Sequence, residues 1–240
     1  MNMSTDFLAR LSGVVYLLLM LTGIYGLVYV PAMLFDWSDP AATATNILEN
    51  EMTFRLAVTA EIACYICFVV LSLLLYKLLH NINKDVAVLM VTLAFLSIPI
   101  TLTQVVKHVD VLLLLEEQEY LKAMTTEVTQ ATIMLTLASF NNGILVSYLF
   151  AGLWLLPLGY LVYHSGFLPR ILGILLVLAC FGYLIEFVGK FVFSLSQIPW
   201  YVSAPSSLGE FGICLWLIIF GARPSVFPKK KARTQTILFS

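Results

Sequence analysis

Apolar residues in this chain come in long blocks separated by short polar stretches, and the blocks show no clean two-residue alternation. Six blocks stand out: Leu11 to Phe35, Phe54 to Tyr76, Val86 to Val106, Ile133 to Tyr163, Ile171 to Phe193 and Ser206 to Phe220. A helix rises about 1.5 Å per residue, so about 20 apolar residues cross the roughly 30 Å hydrocarbon layer. The fourth block is long enough to tilt or to extend past the bilayer. The sixth is short but opens with helix-start chemistry. In lipid the backbone must satisfy its own hydrogen bonds, which leaves helices as the form these blocks take. The pattern predicts an all-α fold, a polytopic transmembrane bundle of six spanning helices. It divides into a head at 1–10, a membrane domain at 11–222 and a basic tail at 223–240. The first block exceeds the apolar core of a signal peptide, about 7–15 residues, and no small-residue cleavage site interrupts it. It is expected to be retained as the first span.

Charge then orients the bundle. Short cytoplasmic segments collect Lys and Arg. With the N-terminus inside, Arg10, Lys77, Lys84, Arg170, Arg223, Lys229, Lys230, Lys231 and Arg233 fall on the cytoplasmic side, leaving Arg55, Lys107, Lys122 and Lys190 elsewhere. An odd number of spans would send the basic tail outside and spoil this partition, so both termini are predicted to be cytoplasmic. Composition agrees with a bilayer as solvent: 60% of residues are apolar and 11% charged, against about half and about a quarter in soluble domains. The net charge of -1 says little about partners. No Gly-rich phosphate loop or nucleic-acid motif appears. The expected partners are the lipid bilayer and a small-molecule or lipid ligand, with no nucleic acid and no cofactor. Outside the spans, Asp39 followed by Pro40 reads as a helix cap and first turn, so AATATNIL is predicted to form a short surface helix. Trp37, Trp200 and Tyr201 fit an interfacial aromatic belt.

With sidedness assigned, the depth of each charge can be estimated. Glu186 lies 16 residues beyond Arg170, roughly 24 Å along the helix and in the outer leaflet, with Lys190 about 6 Å higher. Glu61 follows Arg55 by six residues, roughly 9 Å inward. Glu210 follows Pro205 by five, about 8 Å deep on a helix entering from outside. Three glutamates on spans two, five and six thus share one outer layer with Asn141, Asn142 and Gln104, and Lys107 and His108 lie just above it. An ionisable residue at a helix centre costs about 2.5–3.5 kcal/mol on insertion scales and usually faces the bundle interior or a water-filled cavity. The layer predicts an outward-opening acidic pocket that holds a cation, a proton or a basic group. Each acid also has a local reading. Glu186 and Lys190 at i,i+4 can pair on one face while Lys190 snorkels to the interface. Ser207 and Glu210 have capping-box spacing, which would make Glu210 the start of the sixth span. Glu61 has no local partner, because Arg55 lies six residues away on another face.

Cys64 and Cys67 form C-x-x-C one turn below Glu61, either a redox pair or two small apolar side chains. No metal site is expected, since His80 and His164 sit at cytoplasmic ends and His108 outside. Ser139, Gly143, Ser147 and Ala151 recur every fourth residue on the fourth span, a spacing that lets helices approach within the bundle or between copies of a homo-oligomer. An inverted repeat would send Glu61 to an inner position in the second half, yet Glu186 is outer, so carrier symmetry of that kind is not predicted. The tail KKKAR, Lys229 to Arg233, reads as a topology anchor or an anionic-lipid site.

Several stretches together resemble one family: AATATNILENEMTFR (Ala41 to Arg55), LLLYKLL (Leu73 to Leu79), GYLVYHSGFLPRILGILL (Gly159 to Leu176), GYLIEF (Gly182 to Phe187) and LGE (Leu208 to Glu210). They are similar to prokaryotic multi-pass membrane proteins grouped as domain-of-unknown-function family 4386, over about Phe7 to Ala222. The resemblance implies a helical protein of a prokaryotic plasma membrane and supplies no activity. Phe68 stands where related members often carry an acid, and Glu186 where they tend to carry Asp. Three functions remain open: binding or transport of a small molecule, ion or proton through Glu61, Glu186, Glu210, Lys190, Asn141 and Asn142; an integral-membrane enzyme acting on a lipid or quinone; and a non-catalytic membrane partner.

Overall fold

The computed structural model describes residues 4–116, 123–195 and 197–222. The basic tail from Arg223, including Lys229 to Arg233, and the loop residues Glu117, Glu119 and Lys122 lie outside the described residues. Among the described residues the structure is helical, with six helices long and apolar enough to span a membrane.

The first span, Thr5–Leu34, is built in three pieces: α1 (Thr5–Ile24), a π-helical turn (Tyr25–Tyr29) and α2 (Val30–Leu34). Ser4 caps it by accepting from the Phe7 amide at 3.2 Å. The wide turn directly precedes Pro31, which has no N–H for the ladder, a known cause of local irregularity in helices. The predicted surface helix forms as α3 (Pro40–Glu49). Asp39 Oδ1 accepts from the Ala41 and Ala42 amides at 3.0 Å each, and proline needs no partner at this position. Just before it, hydrogen bonds from the Ser38 hydroxyl and amide hold the Asp36 carboxyl below the usual carboxylate value.

Spans two and three are α4 (Glu51–Leu79) and α5 (Lys84–Leu115). The fourth, Thr126–His164, joins α6 (Thr126–Leu153) to α7 (Leu155–His164) through Trp154, just ahead of Pro157. Spans five and six are α8 (Arg170–Phe191) and α9 (Trp200–Ile219). Gly166 adopts φ 73° in the turn between α7 and α8, a conformation glycine reaches without strain. Gly159 and Gly173 let those helices close up: a Cβ on either would stand 2.7 Å from the other's carbonyl oxygen.

Two of the boundaries that differ from the hydropathy pattern matter for the site. The third span runs nine residues past Val106 to Leu115, so Lys107, His108 and Asp110 are helical and His108 is buried rather than outside. The sixth begins at Trp200, not Ser206. Ser207 therefore donates to the Ser203 carbonyl, 3.4 Å, in ordinary mid-helix fashion, and Glu210 closes no capping box.

Each span packs on its neighbours in sequence, and the sixth packs on the first. The bundle is thus a closed ring. Its seam is fastened by Arg10 Nη1, which donates to the Ile218 carbonyl at 2.9 Å, so the start of the first span and the end of the sixth lie at one end of the bundle. Two apolar clusters fill the ring. One, around Tyr16, Leu71, Leu75, Met90, Leu158, Leu176 and Leu217, lies towards the end where the first span starts and the sixth finishes. The other, around Val30, Ile47, Phe54, Val105 and Leu137, lies towards the opposite end beneath α3. The polar chemistry lies between them and within the second.

Candidate functional site

Between the clusters is a cavity of about 190 Å³ whose wall takes residues from every span. Tyr16 comes from the first, Tyr65 and Phe68 from the second, Ser97 and Thr101 from the third, Ser147, Tyr148 and Trp154 from the fourth, Tyr183 from the fifth and Glu210 from the sixth. Depth explains the composition: Tyr and Trp add apolar surface while retaining one polar atom. The Ser97 hydroxyl donates to Ala94 O at 2.7 Å, Thr101 to Ser97 O at 2.7 Å and Ser147 to Ile144 O at 2.7 Å. Their protons are therefore committed to their own helices.

Glu210 is the acid of this wall. Tyr16 Oη donates to Oε2 at 3.1 Å and Tyr183 Oη to Oε1 at 3.1 Å. Both carboxylate oxygens are thereby fixed by side chains from two other spans. Tyr148 meets the Tyr183 ring edge-on with centroids 5.5 Å apart, and Phe68 meets Trp154 the same way at 4.9 Å. Among the described residues lining the cavity, none is Lys, Arg or His. Two larger depressions, about 490 and 510 Å³, are apolar exterior grooves along spans three, four and five and along spans five and six. They carry no comparable chemistry.

Glu61 belongs to a separate arrangement. Its relative exposure is 0% and that of His108 is 1%. His108 Nδ1 lies 3.0 Å from Oε1, but its hydrogen-bond geometry is with Oε2 at 3.2 Å. Oε1 and His108 Nε2 are buried without a hydrogen-bond partner. The imidazole stacks on Phe140 with centroids 3.8 Å apart and lies against Phe35 and Phe54 at 6.2 and 5.4 Å. The π turn makes room for the acid: a Cβ on Gly26 would stand 2.8 Å from Glu61 Cγ and 2.9 Å from Ala57 O. Cys64 and Tyr65, one turn along α4, carry this helix face into the cavity wall.

The remaining predicted residues are dispersed. Glu186 and Lys190 form the expected i,i+4 ion pair, with side chains 21% and 38% exposed. Asn141 and Asn142 are exposed on the bundle exterior and are not brought to the cavity. Lys107 Nζ donates to Ser139 O at 3.1 Å and to Ser139 Oγ. Gly143 abuts Gln104, and Ser147 and Ala151 line the cavity. This stripe of small residues thus faces the interior and span three. Cys64, Cys67, Cys180 and Cys214 are free thiols. Among the described residues no group of three His, Cys, Asp or Glu side chains is placed to hold a metal ion. The outer layer of three glutamates therefore resolves into three sites, of which Glu210 alone is in the wall of the central cavity. Tyr16, Tyr148, Trp154 and Tyr183 went unnoticed in the sequence. The available signal was tyrosine recurring well inside apolar blocks, away from the interface these residues favour.

A ring of six apolar spans around a cavity with one acid in its wall defines a multi-pass integral membrane protein. The chain matches the family described as "Domain of unknown function (DUF4386)" over residues 11–221, and it belongs to that family. An uncharacterized protein of Archaeoglobus fulgidus is 31% identical over 135 residues, covering 56% of this chain and 76% of that protein. No solved structure matches.

Proposed function

We propose that this protein binds or transports a small molecule in the cavity at the centre of its ring, with Glu210 as the anchoring group, in a prokaryotic plasma membrane with both termini inside. The observation that carries this is a carboxylate held at both oxygens by Tyr16 and Tyr183 in a space bounded by all six spans. Structural packing alone needs no such arrangement, since leucines at these positions would fill the ring more cheaply than a buried acid. At about 30 Å³ per liquid water the space holds roughly six waters, or one compact organic molecule. It lies below the usual ligand-pocket range of about 300–1,000 Å³, which favours a small ligand. Every span touches the cavity, so a relative shift of any two changes its shape and its access. That property suits transport.

A thermal-stability screen of the purified chain against small metabolites tests the reading. At least one compound should raise the unfolding temperature of the wild type and have no effect on Ser147→Phe, which fills the cavity. A screen in which no compound stabilises the wild type, or in which the same compounds stabilise Ser147→Phe equally, overturns it.

A further inference from the structure

We infer that the ligand of this cavity is a compact organic cation, an alkylammonium or quaternary ammonium group; the inference rests on the binding role proposed above. Three observations converge on it.

The first is charge. Tyr16 and Tyr183 donate to both oxygens of Glu210, an arrangement that suits the carboxylate form because each oxygen serves as an acceptor. No Lys, Arg or His among the described lining residues compensates that charge. A buried carboxylate without a counter-ion is costly, and a cation entering the cavity removes the imbalance.

The second is the wall itself. Six rings line the space: Tyr16, Tyr65, Phe68, Tyr148, Trp154 and Tyr183. The negative face of an aromatic ring attracts cations, and desolvated rings around an ammonium group form the recurring recognition site for quaternary amines. The hydroxyl protons of Ser97, Thr101 and Ser147 are tied to backbone carbonyls. These side chains therefore offer oxygen lone pairs and withhold donors, a poor lining for an anion.

The third is size and the competing cations. A bare metal ion needs several converging oxygen ligands, and among the described residues no group of three His, Cys, Asp or Glu side chains is placed to hold one, whereas six of the lining residues carry rings. Along α8, Tyr183, Glu186 and Lys190 follow at i, i+3 and i+7, so they share one helix face running from the cavity towards the end of the span. Glu186 on that face is already neutralised by Lys190. The acid without a basic partner is therefore Glu210, inside.

The test uses a matched pair of probes on the purified full chain, choline and its neutral isostere 3,3-dimethylbutan-1-ol, followed by tryptophan fluorescence and calorimetry. Trp154 in the cavity wall supplies an optical signal. Choline should bind at least tenfold more tightly than the isostere. Tyr148→Leu, which removes a ring and leaves both hydrogen bonds to Glu210 in place, should weaken choline binding by threefold or more with the fold intact. Glu210→Gln should erase most of the difference between the two probes. Equal binding of both probes would overturn the cationic ligand and leave a neutral occupant of the same cavity. Sodium displacing choline at equimolar concentration would overturn the organic class in favour of an inorganic ion. Binding of neither probe, with cavity-dependent stabilisation by some neutral compound still present, would overturn the cation and spare the binding role. Binding of neither probe with no such compound overturns both.

Discussion

Replacing His108 with leucine would strand the Glu61 carboxylate inside the bundle. The two side chains are 1% and 0% exposed, so water has little means of taking over from the imidazole. At the 3.0 Å separation of Nδ1 and Oε1, a protonated His108 and an ionised Glu61 would attract by about 5.5 kcal/mol at an effective dielectric of about 20. Desolvation offsets much of that, which is why replacing a whole buried pair with apolar residues is often neutral, while removing one partner costs about 3–5 kcal/mol. His108→Leu is therefore expected to destabilise by about 3–5 kcal/mol, and Glu61→Leu by a similar amount. The double variant Glu61→Leu/His108→Leu should recover to within about 1–2 kcal/mol of wild type. With about 2–4 °C per kcal/mol for a chain of this size, each single change lowers the unfolding temperature on the order of 6–20 °C. The assay is a double-mutant cycle on detergent-solubilised protein, read by helical circular dichroism during heating. If the double variant loses as much as the two singles added together, the pair is not an energetic unit and the reasoning fails.

Three smaller perturbations probe other parts of the fold. Gly26→Ala places a methyl 2.8 Å from Glu61 Cγ and 2.9 Å from Ala57 O; a loss of about 1–3 kcal/mol is expected from overpacking, and a melting temperature unchanged from wild type would show that the π turn has slack. Tyr16→Phe removes one of the two donors to Glu210 and should cost about 1.5–3 kcal/mol, as for a hydrogen bond to a charged group; equal stability by chemical denaturation would mean that the acid does not rely on it. Asp39→Ala deletes the cap that accepts from Ala41 and Ala42 and should cost about 1 kcal/mol. Hydrogen exchange should report that loss as faster exchange confined to α3.

The spans could be read from composition because the hydropathy of twenty consecutive residues is set by the solvent they occupy, whatever they pack against. The Glu186–Lys190 pair was legible for a related reason, since i,i+4 spacing is a property of one helix. Contacts between helices were harder to see. His108 is Glu61's partner, but it follows Lys107 and precedes Asp110, and that polar cluster makes a hydropathy count end the span early. The helix continues to Leu115 because two of the cluster's members find partners inside, His108 on Glu61 and Lys107 on Ser139, while Asp110 is exposed. Glu210 gave the opposite difficulty. Its spacing from Ser207 is that of a cap, but the helix starts at Trp200, so the acid points to tyrosines on spans one and five. Asn141 and Asn142 lie on the same span as Ser147 but are exposed and outside the cavity wall, because which way a helix faces depends on its neighbours.

The ring closure has a consequence for how the protein is made. Tyr16 and Glu210 are separated by 194 positions in the chain, and Arg10 and Ile218 by 208. The first span enters the membrane long before its sixth-span partner has been synthesised, and until then Tyr16 has no acid to meet. The wall of the cavity is incomplete during synthesis and gains its acid only when the last helix docks. A ribosome stalled after the fifth span would leave an open five-helix arc in which the hydroxyls of Tyr16 and Tyr183 lack the carboxylate they bond.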